Sequence, residues 1–280
     1  MGQLSREEYI EQAYLFRGLT NRLDESDPVQ IVMRHLRDEI LTTTKLPMAI
    51  DFLLAELSHQ GVMSTAMLKL PHYFAPFQAF IMAAAEDDQG RFDMNRALLI
   101  LEHEARFRSE NENPVAMFFF QFDTICQNQL DYDKGLAAMS QDFIYDEAWT
   151  KWILEARHKI GIVGIADLIY VHSQHYVNLQ QKQADTYGDE VELPEVVLFG
   201  EKEGRIALAN RQKEPQYLFA ALQRQLDYPA VPKPRRASAA DEILPKLQRQ
   251  MERFEVRLKL LEDESRETGI DLSQFYRKDS

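Results

Sequence analysis

The chain is poor in the features that most often announce a function. It holds a single cysteine, Cys126, so no internal disulfide can form and a reducing compartment is expected. Positive charge is in deficit: 32 Lys and Arg stand against 45 Asp and Glu, a net charge of −13. Non-specific binding to nucleic acid or to an anionic membrane surface needs a positive field, so neither is expected. Long apolar runs are also missing. The longest central stretch free of full charges, Leu70 to Ala85, contains Pro71, His72, Pro76 and Gln78, and falls short of the 18 or so apolar residues of a spanning helix. The first residues, Met1-Gly-Gln-Leu-Ser-Arg-Glu-Glu8, lack the apolar centre of a signal peptide and the Ser or Thr at position 6 of a myristoylation site. An unprocessed, cytoplasmic chain is the expectation.

Catalytic signatures are missing as well. No Gly-x-Ser-x-Gly elbow, phosphate-cradling Gly-rich loop, dinucleotide fingerprint or Cys-x-x-Cys pair occurs. Cys126 closes the run Met117-Phe-Phe-Phe-Gln-Phe-Asp-Thr-Ile, whose apolar surroundings predict an inert thiol. Gly200 to Gly204 could receive an anion at a helix start, but Glu201 and Glu203 would repel it. A plain turn is expected there. Among the histidines, His172 shares a helical face with Ile165, Leu168, Ile169 and Tyr176, the setting of a hydrogen-bonded structural residue.

What remains is a globular composition with 45% hydrophobic residues and a succession of helical patterns. The forty residues from Leu46 to Ala85 carry only Asp51, Glu56 and Lys69 as full charges, which predicts a central element with other helices packed around it. Ser5-Arg-Glu-Glu8 has the form of a capping box, and Pro28 suits the first position of a second helix. Pro47 opens a helix that Gly61 should close. Val62 to Leu70 reads as a short helix ended by Pro71, with a bend before Phe77 to Ala85. Asp93 and Pro114 start two more helices, the second aromatic-rich and running through Leu130. Helical segments follow at 133–139, 145–160, 165–184, 205–212 and 215–226. Val196-Val-Leu-Phe199 is the one run that could form a short strand.

Pro229-Ala-Val-Pro-Lys-Pro-Arg-Arg236 reads as a stiff extended linker. Beyond it, Leu244, Leu247, Met251, Phe254, Leu258 and Leu261 are spaced 3, 4, 3, 4, 3, an a/d heptad pattern in which Arg257 at g faces Glu262 at the following e. Gly269 should end that helix and leave Ile270 to Tyr276 as an apolar tail. An amphipathic helix on a stiff linker suits helix-in-groove recognition or self-association. The partner-binding residues expected on this ground are Leu247, Met251, Phe254, Leu258, Leu261, Phe275 and Tyr276. Nearby, Arg235-Arg-Ala-Ser238 has the form of a basophilic kinase site.

Two Glu-x-x-His pairs, Glu56/His59 and Glu155/His158, match the pattern of ferritin-like di-metal bundles, which glutamates on other helices, such as Glu11 or Glu39 before and Glu102 or Glu104 between, would complete. Such a centre would bind iron or manganese and support an oxidoreductase. Chance alone supplies roughly 0.6 such pairs from 25 Glu and 7 His in 280 residues. On the second helix His158 falls opposite the apolar face of Trp149, Trp152, Ile153 and Ala156. No metal or cofactor is therefore expected, and the di-metal enzyme stands as the alternative.

Three stretches, Leu46-Pro-Met-Ala-Ile-Asp-Phe-Leu-Leu-Ala-Glu-Leu57, Phe199-Gly-Glu-Lys-Glu-Gly-Arg-Ile-Ala-Leu-Ala-Asn-Arg211 and Ile270-Asp-Leu-Ser-Gln-Phe-Tyr276, resemble a family of uncharacterised planctomycete bacterial proteins. The resemblance spans most of the chain and brings no activity or catalytic residue with it. The sequence thus predicts an all-α body of stacked helical hairpins over 1–228, solenoid-like or an irregular bundle, although no fixed period near 34 residues recurs. A Pro-rich linker at 229–240 and an amphipathic, coiled-coil-like helix with its tail at 241–280 complete the layout. The expected function is that of a non-enzymatic interaction or scaffold protein, with a di-metal oxidoreductase or a small-molecule-binding helical domain as alternatives.

Overall fold

The computed structural model describes residues 4–23, 28–87, 92–110, 113–187 and 193–234. The chain divides into two units, Met1–Lys233 and Pro234–Ser280. The heptad residues Leu247, Met251, Phe254, Leu258 and Leu261, and Phe275 and Tyr276 of the tail, lie outside the described residues.

The described body is all-α. Its thirteen helices are α1 (Arg6–Leu23), α2 (Val29–Glu39), α3 (Leu46–Gln60), α4 (Ser64–Lys69), α5 (Pro76–Glu86), α6 (Met94–Glu110), α7 (Pro114–Asn128), α8 (Tyr132–Ser140), α9 (Glu147–Lys159), α10 (Ile165–Val171), α11 (Gln174–Tyr187), α12 (Glu201–Ala209) and α13 (Pro215–Leu226). Local chemistry sets many of their ends. Proline occupies the first turn of α3, α5, α7 and α13, where its missing amide costs nothing. The Asn113, Asp131 and Asp146 side chains accept from the first free amides of α7, α8 and α9. Gly61 ends α3 at φ 73°, a left-handed conformation open to glycine without strain.

Neighbours in sequence pack as hairpins, but the body is not a simple stack. α1 runs against α6, α5 against α8, and α13 returns to α7. The most enclosed element is α7, with eleven of fifteen residues buried, among them Phe118, Phe119, Phe120 and Phe122. This corrects the expectation that Leu46–Ala85 is the centre. α3 buries only Leu46, Ala49, Ile50, Leu53 and Leu57, a stripe about 100 degrees wide. Met48 on the opposite side is 75% exposed, and Asp51 is in solvent with Arg37 at 2.5 Å. Apolar residues all round a helix permit burial without compelling it, because folded surfaces carry many apolar atoms.

Other expectations also give way. The Ser5/Glu8 capping box does not use its glutamate locally: Glu8 reaches across to accept from the Lys45 amide at 2.8 Å and the Tyr73 hydroxyl at 2.8 Å. The helix expected over 165–184 is broken at His172 and Ser173. There the His172 carbonyl accepts from Leu198 and Phe199, and the Gln174 amide donates to Phe199. Val196–Phe199 is accordingly no strand; it makes one isolated bridge at Ser173. That bridge seats Phe199 among Phe118, Phe119, Trp149 and Trp152 at ring separations of 5.1–6.4 Å. α12 approaches the break so closely that a Cβ on Gly204 would stand 2.2 Å from the Ser173 hydroxyl. The first part of the expected linker belongs to the body. Tyr228 and Val231 are buried, and Pro232 accepts from Asn128 on α7 at 3.2 Å.

Candidate functional site

Polar side chains inside the body are engaged in networks. In the most enclosed one, Arg108 on α6 lies between two carboxylates, donating to Glu104 at 2.8 Å and to both oxygens of Asp142. The side chains of Arg108, Glu104 and Asp142 are 2%, 0% and 0% exposed. Gln121 donates to both carboxylates and accepts from the Tyr145 hydroxyl at 2.7 Å. Burial pushes the Glu104 carboxyl above its ordinary range, against the pull of Arg108. The group links α6, α7 and the α8–α9 turn, and lines none of the clefts described below.

Of the residues weighed for a di-metal centre, Glu56, His59, Glu102, Glu155 and His158 are spread over α3, α6 and α9. Each of their carboxylates is held by a cation: Glu56 by Lys69 at 2.5 Å, Glu102 by Arg106 at 2.5 Å and Glu155 by Lys159 at 3.0 Å. His59 and His158 are exposed. Among the described residues no group of three or more His, Cys, Asp or Glu is placed to hold a metal ion. The (i, i+3) spacing puts two ligands on one side of a helix but cannot aim two helices at each other. Cys126 is half-buried, and burial raises its thiol to about 12.

A cleft of about 330 Å³ opens beside α9, lined by Ala148, Lys151, Trp152, Glu155, His172, Glu195 and Val196. The His172 Nδ1 lies 2.9 Å from the Leu168 carbonyl. A carbonyl only accepts, so Nδ1 carries the hydrogen of this contact. This matches the expected hydrogen-bonded histidine. The cleft's charges are already matched, Lys151 with Glu195 inside it at 2.8 Å and Glu155 with Lys159 one turn further along α9.

A second cleft, of about 310 Å³, runs between α1 and α6. Arg6, Ile10, Ala13, Tyr14 and Arg17 line it from α1, and Arg106, Ser109 and Glu110 from α6. At 100 degrees per residue the five α1 residues fall within about 100 degrees of the helix circumference, beside the face that packs on α6. Ile10 and Tyr14 are each 43% exposed. Tyr14 is fixed from one end: its hydroxyl donates to Glu39 at 2.6 Å, and Glu39 also accepts from Arg22 at 2.9 Å. The hydrogen bond to Glu39 raises the Tyr14 pKa, and the same bond, together with Arg22, holds the Glu39 carboxyl below its usual range. Arg106 is committed to Glu102. Arg6 and Arg17 make no ion pair among the described residues. The cleft therefore presents two available guanidinium groups around an apolar floor.

On α1, Tyr9, Ala13 and Phe16 are buried, whereas Ile10 and Tyr14 of the same apolar face remain exposed. No family model, curated protein or solved structure matches the chain. Among the described residues no helix is long and apolar enough to cross a membrane.

Proposed function

We propose that this is a non-enzymatic, cytoplasmic interaction or scaffold protein that holds a protein partner on the α1/α6 cleft of its body. The observation that carries the reading is the pair Arg6 and Arg17, without acidic partners, beside half-exposed Ile10 and Tyr14. Arginine and aromatic residues are enriched where proteins bind one another, because each combines a large contact area with directional bonding. In a chain of net charge −13, uncommitted cations clustered on one cleft mark a local reversal of sign. The heptad residues Leu247, Met251, Phe254, Leu258 and Leu261 supply a second contact surface on sequence grounds.

The test is quantitative capture from native lysate by the full chain, by Arg6→Glu/Arg17→Glu and by a chain ending at Pro234. Stopping at Pro234 keeps the docked Tyr228, Val231 and Pro232 in place. Proteins lost with the double reversal are held by the cleft, and those lost with the truncation by the arm. Identical captured sets from all three proteins would refute the reading. Small-molecule binding is a second reading, favoured by the His172 cleft, where the Nδ1 contact to the Leu168 carbonyl fixes the ring. It predicts a ligand-dependent rise in Tm that His172→Phe abolishes.

A further inference from the structure

We infer that the α1/α6 cleft receives an acidic amphipathic helix of a partner protein, with two carboxylates about eleven residues apart pairing with Arg6 and Arg17. The inference rests on the reading of this cleft as a partner site and adds the chemistry of the occupant. Arg6 and Arg17 stand eleven positions apart on one face of α1, which at 1.5 Å per residue is about 16 Å. A single phosphate cannot bridge that span. Between the two arginines on α1 lie Ile10, Ala13 and Tyr14, whose side chains offer a free anion no donor because the Tyr14 hydroxyl is already given to Glu39, and Arg106 across the cleft is paired with Glu102. The occupant must therefore be acidic at two ends and apolar in the middle.

A nucleic acid strand is disfavoured by the charge of the whole chain, −13, against a phosphate backbone that needs many cations at once. A protein segment needs only two carboxylates, each matched by a planar guanidinium able to bond both oxygens. Ile10 and Tyr14 are spaced i, i+4 along a helix axis, so apolar side chains at the same spacing on a second helix meet them in register. Glu110 is the one carboxylate among the lining residues. It repels acid along the α6 side and so directs the occupant's acidic residues towards α1.

The experiment is selection from a displayed library of random 16-residue peptides on the full-length chain. Selected peptides are then synthesised and their binding measured by fluorescence anisotropy at low and physiological salt. The expected result is enrichment of Asp or Glu at two positions eleven apart with aliphatic or aromatic residues between. Binding is expected to weaken about tenfold on Arg6→Glu/Arg17→Glu, since two exposed ion pairs become two repulsions. It should also weaken with added salt and be lost on Ile10→Asp. All three substituted positions line the cleft, away from the core, and far-UV circular dichroism confirms that the variants fold. Peptides that depend on Ile10 yet carry no acidic pair, or carry acids about five apart as an extended chain spanning 16 Å would, overturn the inference and leave the cleft reading intact. Selected peptides indifferent to Arg6, Arg17 and Ile10 alike, or no enrichment at all, overturn both.

Discussion

Replacing Arg108 by leucine is the sharpest test of how the body is held together. The guanidinium is 2% exposed and lies between the fully buried Glu104 and Asp142. Its removal leaves two carboxylates in the interior with no cation, and only Gln121 and the Ile144 amide still donate to them. Breaking a buried pair in this way costs about 3–5 kcal/mol, because the charge left behind keeps its desolvation cost. Total stabilities are about 5–15 kcal/mol, so the variant should lose roughly 6–20 °C in Tm. The loss should depend on pH. Burial raises the folded-state pKa of Glu104 above the ordinary 4.5, while Arg108 opposes the rise. A carboxyl with a raised folded pKa favours the folded chain most below the unfolded value. That contribution declines as pH climbs through the folded one. Without Arg108 the rise is larger, so the deficit of Arg108→Leu relative to the native chain should be wider at pH 8 than at pH 5. Urea titrations followed by circular dichroism at both pH values measure it. A deficit under about 1 kcal/mol, or one equal at the two pH values, would refute the assignment of a charged, buried triad.

Phe199→Ala should cost about 3–5 kcal/mol, since the ring sits among Phe118, Phe119, Trp149 and Trp152; thermal denaturation checks this, and near-native stability would contradict the bridge at Ser173. Cys126, its thiol raised to about 12 by burial, should react with a thiol reagent at pH 7.5 only after denaturant is added, as absorbance of the released chromophore reports. Glu56→Ala/His59→Ala should change stability by no more than about 1 kcal/mol, because Glu56 makes a partly exposed pair with Lys69 and His59 faces solvent. Calorimetric unfolding measures that change.

Much of the helical layout was legible because helix ends are written locally. Pro114 and Pro215 open helices at the residues where their rings predict it, Gly61 closes one, and Asp93 caps another. The breaks and the site were not legible in this way. His172 and Ser173 read as helix interior until Leu198 and Phe199, twenty-six and twenty-seven residues after His172, take up the His172 carbonyl. The apolar pattern of α1 does not separate Ile10 and Tyr14 from Tyr9, Ala13 and Phe16. Only the position of α6 decides that Ala13 is covered and that Ile10 and Tyr14 line an open cleft. Arg108 gave no sign of burial, since its two carboxylates come from one turn earlier and from thirty-four residues later.

The sequence by itself determined an all-α body and the places where most of its helices begin and end. These follow from side-chain chemistry acting within a few residues of backbone. Tertiary structure alone decided that α7 rather than α3 is enclosed, that Glu8 and Arg108 serve distant partners, and that Arg6 and Arg17 remain without one. Such outcomes depend on which helix faces meet. Many pairings of apolar faces bury similar areas, and one arrangement is selected only when all the helices pack together.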